Sequence, residues 1–460
     1  MYLVISLRRL RPVLLPAVAA VIIGCVSTAG YAFVTSYFSG DFILSGVKVA
    51  SLNVGGLTVQ EAAVCLARHV DEIIKQPITV VYGSLEWRLF PHDIGITPDL
   101  ETTLLTAFQV GRQGNILRKL AEHYHSQVEG WDIPIAVSVD EEKLTSALRR
   151  IAVTANSPPV DARIVLTEDD MIEIIPGIPG QKVDMDQFIA DVIAASRKPD
   201  DRRVVLRPRP IIPDFSTEDA RALRVQRCIA EYTTTFDAAE YNRVNNIRLA
   251  AGCLNGVLLK PGETFSFNRQ IGPRLRSGGY KPAPVIIDGE LLPGIGGGVC
   301  QVSTTLYNAV LLAGLEVLSR SPHSIPITYV PLGRDAAVAY DYMDLTFRNN
   351  SPYGVLLSAR IDENRLTIKV FSDAPPERSI ELESQVVKVL HPKVVTKVDP
   401  TLSPGVVIEE KRGRQGYEVL LWRIIKMGDE LIEKELVERS IYWPQDRIIR
   451  QGPPVEGEDA

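Results

Sequence analysis

Three consecutive glycines, Gly296, Gly297 and Gly298, directly precede a helical pattern and constrain this chain more than any other feature. Glycine lacks a Cβ atom, so such a run can turn sharply or bring its backbone close to another group. Apolar residues then recur at intervals of three and four, at Val302, Leu306, Ala309, Val310 and Ala313. This pattern predicts a helix with Cys300 in its first turn, where unpaired N–H groups and the positive end of the helix dipole favour a thiolate.

His323 and Asp335 follow this helix in sequence, which makes a thiol-dependent acyl-transfer site one interpretation. In such a site Cys300 is the nucleophile and His323 is the base. Asp335 or Asp341 would orient the imidazole. Backbone N–H groups of the glycine run, together with the Gln301 side chain, would stabilise the tetrahedral oxyanion.

The same residues permit two other interpretations. The helix start, with Ser303 and Thr304, could bind a carboxylate as a site without catalysis. Arg243 and Asn246, on a preceding predicted helix, would line the same cleft or lie on a solvated helix surface. Alternatively, Cys300 only packs at a buried helix start, because cysteine is among the most buried residue types. The run lacks the Gly-Lys-Ser/Thr ending of a nucleotide-binding loop.

An uncharged run over residues 12–40 follows Arg8, Arg9 and Arg11 and is long enough to cross a bilayer as a helix. Because arginines that flank a span stay cytoplasmic, we expect a single-pass anchor with the body of the chain outside the cell membrane. The run exceeds the roughly 7–15 apolar residues of a cleaved signal peptide. Lipidation at Cys25, in an Ile-Ile-Gly-Cys sequence, is the alternative, and it gives the same compartment.

The formal net charge of −6 over 460 residues gives no reason to expect a nucleic-acid partner. Cys228 and Cys253 are the nearest candidates for a disulfide, although free buried cysteines are the plainer expectation for most of the cysteines. No Cys-x-x-Cys signature occurs, and the His123 and His125 pair has no thiol and no further histidine near it in sequence. We therefore assign no metal and no cofactor.

The sequence over residues 41–213 predicts two small α+β units, divided near residue 130, in which helices and strands follow one another in a similar order. In the first unit Thr58 is placed to cap a helix. Residues 78–82 and 86–90 then alternate as a β-hairpin.

In the second unit Asp140 caps a helix over residues 141–151, a hairpin spans 162–175 and another helix spans 183–195. The region also carries short motifs at Gly55-Gly56-Leu57-Thr58, Asp93-Ile94-Gly95, residues 111–115, and Ile175-Pro176-Gly177 with Gly180. Through these motifs it resembles the peptidoglycan-binding module of exported cell-wall proteins. The resemblance implies contact with wall glycan or peptide, whereas the residues alone also suit spacer domains.

Residues 214–375 carry a longer series of motifs around the glycine run. They are residues 232–236, 243–247, 254–256, 260–268, 278–280 and 296–309, then Arg320, His323, Ser324, residues 329–331, Asp335 and Ala336. In this order they closely resemble the VanW family, which is named for an accessory gene of glycopeptide-antibiotic resistance clusters. The resemblance implies a cell-wall context and no particular reaction.

Residues 380–455 alternate β-branched and polar residues between glycine-containing turns, which predicts an all-β module. Gly405, Gly416, Gly428 and Gly452 carry a resemblance to the five-glycine surface domain (the G-five domain), which often follows VanW domains. That resemblance implies binding of wall-associated amino sugars or a rigid spacer.

The sequence thus predicts a multidomain α+β protein. Its parts are a transmembrane helix in residues 1–40, tandem small α+β units, an α+β VanW domain with a glycine-rich loop before a helix, and an all-β C-terminal module. Two functions remain open. One is a membrane-anchored, extracytoplasmic hydrolase or transferase that uses Cys300 on an acyl or peptide bond of peptidoglycan or its precursors. The other is a non-enzymatic peptidoglycan-binding accessory or structural protein of the cell envelope. In both, the partners are the membrane and peptidoglycan.

Overall fold

The computed structural model describes residues 40–287 and 289–453. The predicted membrane anchor, with its Cys25, lies outside these residues except for Gly40. Within the two described ranges, no helix is both long enough and apolar enough to cross a bilayer.

The described ranges contain two short 3₁₀ segments, Pro91–Ile94 and Arg276–Gly278, and the following α-helices. They are α1 (Val59–Ile74), α2 (Leu100–Gln109), α3 (Ile116–Val128), α4 (Glu141–Ala155), α5 (Met185–Ser196), α6 (Thr217–Ala222), α7 (Tyr241–Gly252), α8 (Phe267–Ile271) and α9 (Val299–Leu312).

The strands of the N-terminal half are β1 (Val47–Val49), β2 (Leu52–Asn53), β3 (Ile78–Tyr82), β4 (Leu85–Leu89), β5 (Ile96–Pro98), β6 (Trp131–Ile133), β7 (Val137–Val139), β8 (Arg163–Leu166), β9 (Ile172–Ile175), β10 (Gly180–Lys182), β11 (Arg203–Val205) and β12 (Arg209–Ile211). Those of the C-terminal half are β13 (Arg227–Thr235), β14 (Leu258–Leu259), β15 (Thr264–Ser266), β16 (Pro282–Ile287), β17 (Glu290–Ile295), β18 (Glu316–Ser319), β19 (Thr346–Arg348), β20 (Val355–Asp362), β21 (Arg365–Ser372), β22 (Arg378–Leu390), β23 (Val394–Val398), β24 (Val407–Lys411), β25 (Gly416–Met427), β26 (Glu430–Tyr442) and β27 (Arg447–Gln451).

The chain forms two compact units, and the described part of the first comprises residues 40–160 and 179–212. Helix α1 of this unit begins as predicted at Thr58, whose hydroxyl accepts from the Glu61 N–H while the Glu61 carboxylate accepts from the Thr58 N–H. This capping box satisfies two donors that a helix start otherwise leaves unpaired. Asp140 likewise caps α4, and the predicted hairpin of β3 and β4 is confirmed.

In the first unit, strands from the two sides of the predicted boundary near residue 130 pair with each other. Strand β1 pairs in parallel with β6, and β3 pairs in parallel with β11, far along the chain. One hydrophobic core forms around α1 and α2, and a second forms around α4 and α5. The two cores are therefore interleaved along the chain instead of following one another.

The second unit comprises residues 161–178 and the described residues from 213 onward. The predicted hairpin of β8 and β9 forms, and it belongs to this unit, where Ala162 and Ile164 pack beside Leu356 and Phe371. Its turn residue Asp170 forms ion pairs with Lys369 at 2.5 Å and Arg360 at 3.0 Å. The hairpin thus joins the residue 213–375 region through both apolar and charged contacts.

At the centre of this unit, α9 packs against the antiparallel sheet of order β13-β21-β20-β14 and against α7. The described residues after β21, up to residue 453, contain strands and no helix, in sheets of order β22-β25-β26 and β23-β27-β24, as predicted for the C-terminal module. Leu421 of β25 is fully buried in the same core as α9. The module is therefore packed against the domain that contains the glycine run.

The sequence over residues 325–330 also predicts a strand after His323. This prediction is wrong, because the segment forms no β-ladder. Pro326 and Pro331 lack the N–H groups that a strand interior donates, which favours the irregular path observed.

Candidate active site

Helix α9 begins directly after Gly298, whose φ of 106° lies where only glycine is unstrained. All α9 residues are buried except Cys300 and Leu312. Cys300 is the second residue of the helix, so its backbone N–H has no acceptor within the helix. The helix start therefore places the thiol of a half-buried cysteine beside an N–H group and the positive end of the helix dipole.

The glycine run is held against strand β16. A Cβ atom on Gly297 would lie 2.5 Å from the carbonyl oxygen of Pro284 and 2.7 Å from that of Ala283, so this approach requires glycine. Fully buried Asn246 donates Nδ2–H to the carbonyl oxygens of Gly297 and Lys281, each at 2.9 Å. Its Oδ1 accepts from the Lys281 N–H at 2.8 Å. Asn246 thus fixes the backbone that leads into α9.

His323 connects Cys300 to Asp335. The Nδ1 atom of His323 lies 2.6 Å from Oδ2 of Asp335, and the His323 backbone N–H donates to the same oxygen at 2.7 Å. An ionised carboxylate only accepts, so Nδ1 carries the proton and Nε2 is left to interact with the Cys300 thiol, whose pKa the His323 side chain lowers. On another side, the Cys300 sulfur lies 3.5 Å from the Val338 carbonyl oxygen.

Interactions within the network favour the charged forms of Cys300, His323 and Asp335. Burial alone would raise the pKa of the Cys300 thiol, but the hydrogen bond and positive charge of His323 lower it overall. Burial alone would lower the pKa of His323, but its bonds to Asp335 and Cys300 raise it to about 9. Burial opposes ionisation of Asp335 too, yet His323 and Arg320 lower its pKa to about 2. The arrangement favours a thiolate beside an imidazolium more than either group alone would.

The Asp335 carboxylate has two further donors. Arg320, whose side chain is fully buried, donates to Oδ1 at 3.0 Å, and the Tyr442 hydroxyl donates to the same oxygen at 2.5 Å. The Gly333 N–H in turn donates to the Tyr442 oxygen at 2.8 Å. Both carboxylate oxygens are thus saturated, which orients Asp335 and, through it, His323.

The structure does not bring Asp341, the alternative orienting residue, into this network. Asp341 is exposed with a φ of 69°, whereas the carboxylate bonded to His323 belongs to Asp335.

The other predicted ligand-binding side chains are committed to protein contacts. Gln301, 1% exposed, accepts from Arg243 at 2.7 Å and donates to Thr234 and the Thr235 carbonyl, each at 2.9 Å. Fully buried Ser303 and Thr304 bond to backbone groups of Ala336. Gly296 is buried and has a φ of 85°. A ligand role for these residues stays a prediction, but Gln301 has no remaining side-chain group for an oxyanion.

The four cysteines of the described ranges are free. Cys228 and Cys253 form no disulfide, and with Cys65 they are exposed, so the expectation of burial is wrong for these three. The described residues contain no group of three or more His, Cys, Asp or Glu side chains arranged to hold a metal ion.

Sequence reasoning missed three residues of the site as functional candidates. Arg320 had a signal, since it lies in the same motif as His323. Tyr442 comes from another module, 107 residues away from Asp335. Arg274 acts electrostatically on Cys300 from a loop between α8 and β16.

The fold and this site define a chain of three kinds of domain, with a cysteine–histidine–aspartate network in the central one. The family model described as "VanW like protein" matches residues 242–371, the one described as "Putative peptidoglycan binding domain" matches residues 87–205, and the one described as "G5 domain" matches residues 381–453. The chain belongs to the VanW family, and this combination of domains is that of a cell-wall-associated protein.

Two relatives are similar to part of this chain. The "Uncharacterized protein YoaR" of Bacillus subtilis (strain 168) is 33% identical over 240 residues, which cover 52% of this chain and 78% of that protein. The "Vancomycin B-type resistance protein VanW" of Enterococcus faecalis (strain ATCC 700802 / V583) is 34% identical over 152 residues, 32% of this chain. This second match spans only 55% of the relative's length.

Among solved structures, the chain matches one titled "IgA1 Protease G5 domain structure" with 20% identity and a TM-score of 0.14. That match covers 18% of this chain and 100% of the solved one. The similarity is too low to carry an argument, so the G5 assignment rests on the family model.

Proposed function

We propose that this chain is a thiol-dependent hydrolase or transferase that cleaves an acyl or peptide bond of peptidoglycan or its precursors. The observation that carries the proposal is His323, whose side chain is hydrogen-bonded to the Asp335 carboxylate and interacts with the Cys300 thiol. A nucleophile, a base and a group that orients the base are the parts that covalent acyl transfer requires.

The reaction follows from these contacts. The Cys300 thiolate adds to the carbonyl carbon, and the oxyanion that forms is stabilised by the Cys300 N–H at the start of α9. The C–N bond then breaks as Nε2 of His323 gives its proton to the leaving amine, which leaves a thioester on Cys300. Water, or an amine acceptor in a transferase, gives a proton back to His323 and attacks the thioester. The C–S bond breaks and the thiolate is restored.

The choice of substrate rests on the neighbouring domains. The chain matches a peptidoglycan-binding domain model before the VanW region and a G5 model after it. We place the body outside the cell membrane, anchored by residues 12–40 or lipidated at Cys25. A membrane-impermeant thiol reagent should then label exposed Cys65 and Cys253 in intact cells. Labelling that requires cell lysis would contradict this location.

The decisive experiment incubates purified full-length protein with muropeptides and compares it with Cys300→Ala. We expect the native chain to release new amine ends, or to exchange peptide stems, and the variant to leave the substrate unchanged. Cys253→Ala removes an exposed cysteine outside the site and serves as the matched control, with activity retained.

A pull-down on purified cell wall separates catalysis from binding. Cys300→Ala should still bind the wall. If the native chain and Cys300→Ala bind equally and neither changes the muropeptides, the proposed reaction is wrong and the chain is a wall-binding accessory protein.

A further inference from the structure

Arg274 is a half-buried arginine whose two terminal guanidinium nitrogens make no hydrogen bond. Both of its terminal nitrogens are shielded from solvent, and neither has an acceptor among the described residues. Burying a charged group without such partners is costly, so a fold retains one only where something offsets the cost. This group lies in the electrostatic range of the Cys300 sulfur.

Two other arginines of the second unit, one buried and one half-buried, show how the fold provides acceptors for such groups elsewhere. The Arg320 guanidinium donates to the Asp335 carboxylate, to the Ser440 hydroxyl and to backbone carbonyls. Arg334 donates to Asn308 at 2.7 Å. Among the described residues, Arg274 is the only arginine with both terminal nitrogens buried and unpartnered. The exception therefore coincides with the candidate active site.

The surroundings hold Arg274 in place without satisfying it. Its guanidinium carbon lies 5.8 Å from the ring centroids of both Phe267 and Tyr340. Its stem lies beside Gly296, where an added Cβ would come within 3.1 Å of the Arg274 Cβ. These contacts leave the planar N–H groups uncommitted. Tyr340 is 39% exposed, so Arg274 lies against a side chain that reaches solvent.

The nearby negative charges do not supply a hydrogen-bond acceptor to the terminal nitrogens of Arg274 either. The Asp344 carboxylate acts on it electrostatically, but its oxygens accept from the Ser266 hydroxyl at 2.5 Å and the Asn268 N–H at 2.8 Å. The Cys300 sulfur acts on it in the same way, yet it makes no hydrogen bond to the guanidinium. Two parallel N–H donors fit the two oxygens of a carboxylate better than one sulfur atom.

We infer that Arg274 is the carboxylate-binding residue of the Cys300 site, so that the substrate is an acyl compound with a free carboxylate close to the carbonyl that is attacked. A peptide with its α-carboxylate near the scissile bond has this chemistry. The inference deepens the proposed function and rests on it for the bond that is broken. Binding of a carboxylate beside Cys300 can be tested without any turnover.

The test compares alkylation of Cys300 by iodoacetate, which carries a carboxylate, with alkylation by neutral iodoacetamide. In both reactions the thiolate displaces iodide and a C–S bond forms, so the ratio of the two rates cancels the fraction of thiolate. Mass spectrometry of the full chain reports this ratio for Cys300 and, in the same sample, for exposed Cys253.

We expect the iodoacetate-to-iodoacetamide ratio to be higher at Cys300 than at Cys253, and to fall about tenfold at Cys300 in Arg274→Met, because a bidentate charge-assisted contact is lost. Arg274→Lys keeps the charge without the planar fork and should lie between the two. Arg276→Met removes an equal charge from an exposed neighbour and is the matched control, with the ratio unchanged. Equal ratios in native chain and Arg274→Met would overturn the inference.

A second measurement uses only the native chain, in case Arg274→Met does not fold. N-acetylalanine should protect Cys300 from iodoacetamide, and N-acetylalanine amide should not. Protection by both compounds or by neither would overturn the inference. If the acid alone protects Cys300 but muropeptides remain unchanged, the carboxylate site stands and the proposed reaction fails.

Discussion

The hydroxyl of Tyr442, at the end of β26, donates a hydrogen bond to the carboxylate of Asp335, the residue that orients His323. The G5 region thereby contributes an atom to the network behind the candidate nucleophile. Arg320 strengthens the same link, because it donates to Ser440 of β26 at 2.6 Å and to Asp335 at 3.0 Å. In this chain the C-terminal module is therefore a structural part of the VanW site.

Replacing Tyr442 by phenylalanine should keep the packing but remove this link. Asp335 loses a charge-assisted donor and the buried Gly333 N–H loses its acceptor, so the free energy of unfolding should fall by about 1–3 kcal/mol. Urea denaturation measures the loss. The control is Tyr417→Phe, whose hydroxyl makes only a 3.3 Å contact with Gln415. An equal effect of the two substitutions would mean that the Tyr442 hydroxyl contributes nothing beyond its ring.

The pH dependence of Cys300 alkylation should reveal its partner. Since His323 lowers the pKa of the Cys300 thiol, alkylation by iodoacetamide should reach its plateau at lower pH in the native chain than in His323→Gln. Per-residue mass spectrometry measures the midpoints, with Cys253 as the internal reference. Identical Cys300 midpoints in the two proteins would show that the imidazole does not stabilise the thiolate.

The rate of muropeptide cleavage should fall at high pH, whereas the rate of Cys300 alkylation should not. Expulsion of the amine uses the proton of the His323 imidazolium, whose pKa is about 9. Muropeptide cleavage should therefore decline as the pH rises through about 9, whereas alkylation, which needs only the thiolate, should not. A cleavage rate that stays level through this range would assign the proton to another donor.

Gly297 tests whether the close approach of the glycine run is required. Alanine there would place its Cβ 2.5 Å from the Pro284 carbonyl oxygen, a backbone atom that cannot turn aside. We expect Gly297→Ala to lower the free energy of unfolding by about 1–3 kcal/mol. Gly252→Ala, which meets nothing within 4 Å at the end of α7, should change stability by less than about 0.5 kcal/mol. Similar results for the two would show that the loop yields without cost.

The sequence predicted the parts of this molecule that depend on neighbouring residues. The start of α9 at the glycine run follows from backbone sterics, and the Thr58 cap follows from a local hydrogen-bond pattern. The proximity of Cys300 and His323 could be proposed because few residues separate the end of α9 from His323.

The remaining features depend on contacts between residues that are far apart in sequence. Nothing near β26 indicates that Tyr442 meets Asp335, since an alternating pattern does not specify which domain a strand face contacts. The parallel pairing of β3 with β11 joins segments separated by several other elements, and only local patterns were available to predict it. Arg274 likewise gave no signal, because an arginine in a loop is ordinarily solvated.

The free energy of unfolding at low pH should depend on the ionisation of Asp335. Its pKa in the folded chain is about 2, below the value of about 3.8 for an unperturbed aspartate. A lowered pKa adds stability that is present above about 3.8 and is lost as the pH falls through about 2, and the shift corresponds to about 2 kcal/mol. Asp335→Asn lacks this titration and leaves Arg320 buried without its ion pair, so it should be less stable at neutral pH. The stability difference between native chain and variant, measured by urea denaturation from pH 5 to pH 2, should shrink by about 2 kcal/mol. A constant difference would mean that Asp335 keeps an ordinary pKa and does not hold a charged His323.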